Sequence, residues 1–565
     1  MTDRRPARKD PSRPAETQQD APPPRPPPSG GSTEMSAPLS SPPTEAAVDG
    51  SESQTKVSRL AIVRGGLWGA AAQLLPAAGV AVLSVVTARV LGTNALGRQS
   101  LIAFVNAAAA ATFVTGLSGA ALQVMGRLQG TGDSRLDELG AWMVRAHVVT
   151  GVVLCAGLAG IGLVLHQDRL AWLIIGLVTV VDAAVSGLGA RVAVRQGWVE
   201  VGRLNLVAQL FGAPLGIAAL AVGFGIPGIF AGDGVAAVGL LVAMIIRFAF
   251  TFPKRRYPWR LRPPVPIARP WCLFVLSNFL SQVVGRRVEF LALAVFSTNQ
   301  QIAYYSVAFT LVSLLASVPT AVAGAALPVI AAAEGRGEMA VATGHMRSAV
   351  RVGSLLSVPL VGFAAALGPV LVELVYGSRY HEAAALVPLS SLVLLVAVVG
   401  GVLGQYWAGR GDVGVTLVIG SIAGVLDLGL AFALVPSLGA RGAVVANLVG
   451  QLVLAGGLLY VTVRRTGSMG TLGTAGVRML VASAVGAVIA WRVSVLVIDH
   501  VGGARIVVDL LAVVAGGAAG VPITIVLAIL IKVMRPADAD WLRPLLPRRL
   551  APLLRSVTSR PAAST

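Results

Sequence analysis

Residues 278–296 read NFLSQVVGRRVEFLALAVF. The stretch lies inside an apolar run, 271–296, yet carries Arg286, Arg287 and Glu289 in its middle. On a soluble surface helix such charges need no explanation. At membrane depth a charge costs ~2.5–3.5 kcal/mol on insertion scales and must face protein or water. Composition decides between the two. Only 13% of the 565 residues are charged and 55% are hydrophobic, whereas soluble domains average about 25% charged. Mean hydropathy is +0.77. The fold class is therefore an all-α integral membrane protein.

Outward from that stretch the chain repeats the same theme. Residues 65–533 contain fourteen apolar runs, near 65–90, 98–121, 141–166, 169–190, 204–224, 227–250, 271–296, 302–328, 349–376, 384–407, 413–434, 440–463, 474–497 and 506–533. Each is long enough to cross a hydrocarbon core of ~30 Å. Dense Gly and Ala suit close helix contacts in lipid. Residues 1–58 are rich in Pro, Ser, Ala and Arg, bury too little apolar surface to fold, and read as a disordered tail. They hold no apolar stretch, so no cleavable signal peptide is expected.

The net charge of +19 comes from 45 Lys and Arg against 26 acids. In a soluble chain that excess would point to nucleic acid. Here the basic residues lie mostly between apolar runs and no nucleic-acid motif is present, so the charge is read as topology. With the N-terminal tail in the cytoplasm, 36 of the 45 fall on the cytoplasmic side. The expected location is a bacterial plasma membrane, with both termini cytoplasmic. The expected order is tail 1–58, a first lobe 59–250, a basic linker 251–270, a second lobe 271–465, an appended helix pair 466–533 and a basic tail 534–565. A duplication supports the two lobes: Gly197, Val199, Val201, Gly225, Gly228 and Asp233 recur at one constant offset as Gly411, Val413, Val415, Gly439, Gly442 and Asn447. Both copies enter the membrane in the same orientation, as in parallel-repeat transporters.

Enzyme chemistry finds little footing. The sequence has no Gly-Lys dipeptide, hence no Walker A loop, and neither HExxH nor GxSxG. Cys155 and Cys272 are read as small core residues, and the scattered histidines as structural. No metal or cofactor site is expected.

What remains is polar residues at membrane depth. At about 100° per residue, Asn278, Gln282, Arg286 and Glu289 fall within about 80° of one another on a helix, while Arg287 points about 145° from that stripe. Two readings of Arg286 stand. It lines an aqueous cavity and meets an anionic headgroup, with Gln282 and Asn278 on sugar hydroxyls and Glu289 holding it in the empty state; or it pairs with Glu289 to fix the helix. Arg287 is more readily a helix-packing residue. Asp427 is read as a proton site, a sodium site or an arginine partner. Asp182 is a second buried acid, and Arg89 closes the first helix. These last four are cavity or coupling candidates.

Several stretches resemble one family. GLWGAAAQLLPAAGVAVLSVVTARVLGTNALGRQSL resembles its first helix and hairpin, with Leu91, Gly92 and Gly97 at the turn. RRVEFLALAVFSTNQQIAYYSVAFTLVSLLASVPTAVAGAALPVIAAAEGRGE resembles its helix 7 to 8 unit, including Tyr305, Ser306 and Pro328. LVELVYGSRYHEAAALVPL and ALVPSLGARGAVVANLVGQL resemble the helix 9 to 10 and 11 to 12 connections. Order and spacing match over about 60–465. The family is the polysaccharide-transport, O-antigen flippase-like branch of the multidrug/oligosaccharidyl-lipid/polysaccharide (MOP) exporter superfamily. The resemblance implies a flippase that moves a polyprenyl-pyrophosphate-linked oligosaccharide from inner to outer leaflet by alternating access. Its implied partners are the lipid-linked glycan, the bilayer and enzymes of glycan synthesis. The family often has an acid near Arg286 and Arg287 and an asparagine near Asp427, so its cavity charges do not carry over residue by residue. Alternatives kept open are a lipid II flippase, a cation-coupled drug exporter and a non-transporting scaffold of a glycan-synthesis complex. A drug exporter should be aromatic-lined, and aromatics are only 5% here.

Overall fold

The computed structural model describes residues 78–195, 198–248, 257, 262–285, 288–335, 338–410, 412–467 and 472–533. The two tails, most of the linker, and Arg286 and Arg287 lie outside these residues. The description that follows concerns the unit from Val57 onward.

Helices succeed one another, with no strand among the described residues. The first group comprises α1 (Ala78–Leu91), α2 (Thr93–Ala109), α3 (Thr115–Gly130), α4 (Leu136–Leu165), α5 (Arg169–Val194), α6 (Trp198–Ala221) and α7 (Gly225–Phe248). A π-helical turn, Ala110–Val114, joins α2 to α3 as one span. The second group comprises α8 (Ala268–Gly285), α9 (Glu289–Phe296), α10 (Asn299–Gly335), α11 (Met339–Tyr376), α12 (His381–Ser391), α13 (Val393–Gly409), α14 (Val413–Leu438) and α15 (Ala440–Thr466). The appended pair is α16 (Leu472–His500) and α17 (Arg505–Leu530). The described parts of the apolar runs fall largely on helix, and residues 65–77 of the first run lie outside the described residues. Among the described residues, ten helical spans are long and apolar enough to cross a membrane on their own, or eleven if α12 and α13, bent by 45°, count as one. Outward faces carry Val153, Val164, Ile246, Val295, Val425 and Leu530, all exposed, as expected where lipid is the solvent.

The run 271–296 is described as α8, to Gly285, and α9, from Glu289, with Val288 in a turn before α9 and Arg286 and Arg287 outside the described residues. An acid in the first turn of α9 favours a helix start there. Asn278 and Gln282 lie on α8 and Glu289 on α9.

Packing follows sequence order within each group. α4 lies on α5, α5 on α7 and α6 on α7; α10 lies on α11 and α13, and α14 on α15. The groups meet where α2 packs on α10 and α3 on α8. A shared core forms there from Ala88 and Leu96 of the first group with Phe290, Leu293, Tyr305 and Val444 of the second. The described linker residues hold to the first group: Arg145 Nη2 donates to the Tyr257 carbonyl at 2.7 Å, and Ile267 is buried against α3, α4 and α5. His147 is structural, as read from sequence. It is fully buried, with Nδ1 2.8 Å from the Met143 carbonyl and Nε2 2.9 Å from Ser118 Oγ. That same hydroxyl reaches the carbonyl of Val114, at the π-turn.

The appended pair is fixed to α11 at both ends. Arg505 meets Glu373 at 2.7 Å, and Arg351 Nη2 donates to the Val533 carbonyl at 3.1 Å. Between them the α16–α17 seam is closed by small residues. A Cβ on Gly486 would lie 1.9 Å from Thr524 Oγ1 and 2.8 Å from the Gly520 carbonyl. Gly486→Val should therefore lower the thermal midpoint in detergent, consistent with an overpacking cost of about 1–3 kcal/mol. Gly476→Val, on the same helix but facing open space, should leave the midpoint unchanged.

Candidate functional site

A cavity of about 770 Å³ lies between the two groups, walled by α1, α2, α7, α8, α10, α13 and α15. Its polar lining includes Gln99, Asp233, Gln282, Asn447 and Gln451. Amide and hydroxyl groups dominate, and Asp233 is the one ionisable residue among the described lining residues. Gln282 reaches the cavity as the α8 stripe expects. Asn278, one helical turn earlier, is half-buried. Asp233 and Asn447, the positions related by the sequence duplication, both line this cavity.

On its α2–α10 side the cavity is bounded by direct contact between the groups, which also meet where Gly119 of α3 lies against Phe274 of α8. A Cβ on Gly97 of α2 would lie 1.8 Å from the backbone carbonyl oxygen of Asn299, at the start of α10. No residue larger than glycine fits that approach. Beside it, Ser100 Oγ and Ser306 Oγ are 2.8 Å apart, and Phe104 stacks on Phe290 with centroids 5.1 Å apart. Arg89, an expected cavity or coupling residue, is not in the cavity lining. It spans from α1 to the end of α11, donating from Nε to the Val375 carbonyl at 2.9 Å and from Nη2 to the Leu374 carbonyl at 2.6 Å. The last carbonyls of a helix lack partners within it and carry partial negative charge, so a guanidinium is the fitting cap. Tyr376 Oη donates to Ser84 Oγ at 3.3 Å across the same seam.

Behind the cavity wall sits a second feature. Glu289 and Asp427 are both fully buried. Tyr305 Oη donates to Glu289 Oε2 at 3.0 Å, and Asp427 and Asn447 face the same carboxyl group. Glu289 Oε1, both Asp427 carboxylate oxygens and Asn447 Nδ2 have no hydrogen-bond partner of good geometry among the described residues, and neither acid meets a Lys or Arg there. Asp427 rests against Gly450, where a Cβ would lie 2.8 Å from its own. Asn447 belongs both to the main cavity and to a small void beside Tyr305 and Ser390, so it links the acid pair to the cavity.

Sequence reading placed Glu289 and Asp427 as separate features. The structure brings them together across α9 and α14, with Tyr305 of α10 and Asn447 of α15. Asn447 was visible only as the counterpart of Asp233 in the repeat. Asp182 lies on α5 close to Asp233, but it does not line the cavity.

Against this geometry, a sequence profile for a family described as "Polysaccharide biosynthesis protein" matches residues 86–385. No curated protein matches the sequence significantly. Solved structures that share the fold include the three that follow. An inward-facing multidrug resistance MATE family transporter of the MOP superfamily aligns over 71% of this chain and 96% of its own, at 17% identity and a TM-score of 0.54. The lipid II flippase MurJ in an inward closed conformation aligns over 81% and 97%, at 12% identity and a TM-score of 0.63. The eukaryotic MATE transporter AtDTX14 aligns over 75% and 98%, at 16% identity and a TM-score of 0.54.

The α2–α10 contact makes a direct prediction. In a background lacking Cys155 and Cys272, a Ser100→Cys/Ser306→Cys pair should form a disulfide readily under mild oxidation. Adding Gly97→Val should cut that yield several-fold, because the extra side chain holds α2 off α10. An unchanged yield would show that the contact tolerates separation.

Proposed function

The chain belongs to the polysaccharide biosynthesis protein family and has the all-α membrane fold of MOP-superfamily transporters, and on that premise we propose that it is a flippase for a polyprenyl-pyrophosphate-linked oligosaccharide. The polar cavity between two helix groups, bounded on its α2–α10 side by contacts that need no covalent change to open, carries this reading. A headgroup with two phosphates and many hydroxyls cannot enter hydrocarbon without replacement of its water. Gln99, Gln282, Asn447 and Gln451 offer amides in place of that water. The helix groups rock so that the contacts at Gly97, Ser100 and Arg89 open while the opposite side closes. With the N-terminus cytoplasmic, as the charge distribution supports, those contacts face outward and cargo moves from the inner to the outer leaflet.

The pyrophosphate contact is assigned to Arg286 on sequence grounds: it follows Gly285 in the chain, one turn after Gln282, which lines the cavity. Glu289 is not assigned to Arg286, because its carboxyl group faces Tyr305, Asp427 and Asn447. The Glu289–Asp427 pair is instead the proposed coupling site. Two facing carboxylates, with no cationic partner among the described residues, repel strongly in a medium of low dielectric. A proton or a sodium ion relieves that repulsion, and its arrival or departure through Asn447 would bias the rocking.

The test is reconstitution in proteoliposomes with a fluorescent polyprenyl-pyrophosphate oligosaccharide. Wild-type protein should move the probe between leaflets, and faster with an imposed proton or sodium gradient. Arg286→Ala should cut the rate at least tenfold. Asp427→Asn and Glu289→Gln should abolish the gradient's effect while leaving slow downhill movement. Transport of lipid II or of a cationic drug in place of the glycan would replace this reading. Full activity of Arg286→Ala would remove the phosphate assignment.

A further inference from the structure

α10 carries four hydroxyls, Ser306, Thr310, Ser313 and Ser317, at spacings of four, three and four residues. That spacing keeps them within an arc of about 60° over about 16 Å of helix. All four line the main cavity. Ser306 and Ser317 are spoken for in part, by Ser100 Oγ and by the Leu314 carbonyl. Thr310 and Ser313 make no hydrogen bond to another described residue. One further side chain in the lining, Gln99, is more than nine-tenths buried with an unpartnered polar atom, Oε1; Asn447, also buried, lines the cavity while its amide faces Glu289. Buried polar groups are ordinarily hydrogen-bonded, and exceptions cluster where a ligand or water completes them. Phe230 and Phe309 supply apolar faces in the same lining.

We propose that this wall is a track for an uncharged saccharide chain, laid along α10, and that Asp233 excludes acidic sugars from it. The inference rests on the flippase reading and narrows its cargo. A sugar ring presents hydroxyls on its edge and C–H groups on its faces. The hydroxyl row and the amides of Gln99 and Asn447 answer the first, and the phenyl rings answer the second. A mixture of hydroxyl and amide partners can donate or accept, so the track tolerates differences in hydroxyl configuration along a neutral chain. A uronic acid or a phosphate-bearing sugar would instead meet the Asp233 carboxyl group, with no Lys or Arg among the described lining residues to neutralise it. A like charge in a site of low dielectric is repelled far more than in water. The pyrophosphate itself is assigned to Arg286 and makes no demand on this wall.

The discriminating experiment compares two synthetic probes in proteoliposomes. Both are polyprenyl-pyrophosphate trisaccharides, one of three neutral hexoses and one with the middle hexose replaced by glucuronic acid. Wild-type protein should flip the neutral probe about tenfold faster or more, and Asp233→Asn should narrow that ratio. Thr310→Val with Ser313→Ala should slow the neutral probe about tenfold, in line with the loss of two hydrogen bonds. The conservative pair Thr310→Ser with Ser313→Thr should retain most activity, which separates hydroxyl loss from misfolding. Equal rates for the two probes, a faster acidic probe, or an unaffected Thr310→Val/Ser313→Ala variant would overturn the proposal while leaving the flippase reading intact. Failure to flip either probe would overturn both.

Discussion

Every polar group held at membrane depth has to find its partner inside the protein, because hydrocarbon offers none. That constraint shapes the whole molecule. It forces the backbone into helices, since a helix satisfies its own amides and carbonyls. It turns Val, Leu and Ile outward and gathers Gln99, Asp233, Asn447 and Gln451 around one interior cavity. It places Arg89 on the free carbonyls at the end of α11. It also puts the two most deeply buried acids, Glu289 and Asp427, beside a tyrosine and an asparagine.

The same constraint explains what the sequence made legible. The all-α membrane class read directly from the apolar runs, because each had to match the thickness of a bilayer. The duplication at Asp233 and Asn447 was readable and has structural content, since both residues line the cavity. The partners of Glu289 were not readable. A helical wheel assumes an unbroken helix, and Val288, just before α9, is in a turn. Even on an intact helix, a wheel names neighbours along one element and is silent on those from α10, α14 and α15. The hydroxyl row on α10 was in plain view at four, three and four residues. It escaped notice because Ser and Thr hardly disturb hydropathy. Arg89 read as a cavity or coupling candidate, because nothing in sequence brings the end of α11 next to it.

The contacts that bound the cavity on its α2–α10 side are of a kind that can be exchanged. Gly97 against a carbonyl, a serine pair and a stacked phenyl pair are short-range packing contacts, and each is lost over a small separation. Within the helix groups the most extensive pairs, α4 on α5 and α6 on α7, pack along much of their length. Rocking requires that the contacts between the groups be exchanged while these are kept. The acid pair lies within the second group but borders the cavity through Asn447, so a change in its charge is felt where cargo would sit. The appended pair α16 and α17 stays with α11 through Arg505, Glu373 and Arg351, and so should move with the second group.

The most direct measurement of the central claim is made in cells. Depleting the protein and then assaying which leaflet holds the lipid-linked oligosaccharide tests whether it is a flippase at all. The account predicts that the intermediate accumulates on the inner leaflet while surface polysaccharide falls, and that wild-type protein restores both. Normal surface polysaccharide after depletion, with no build-up of intermediate, would contradict it.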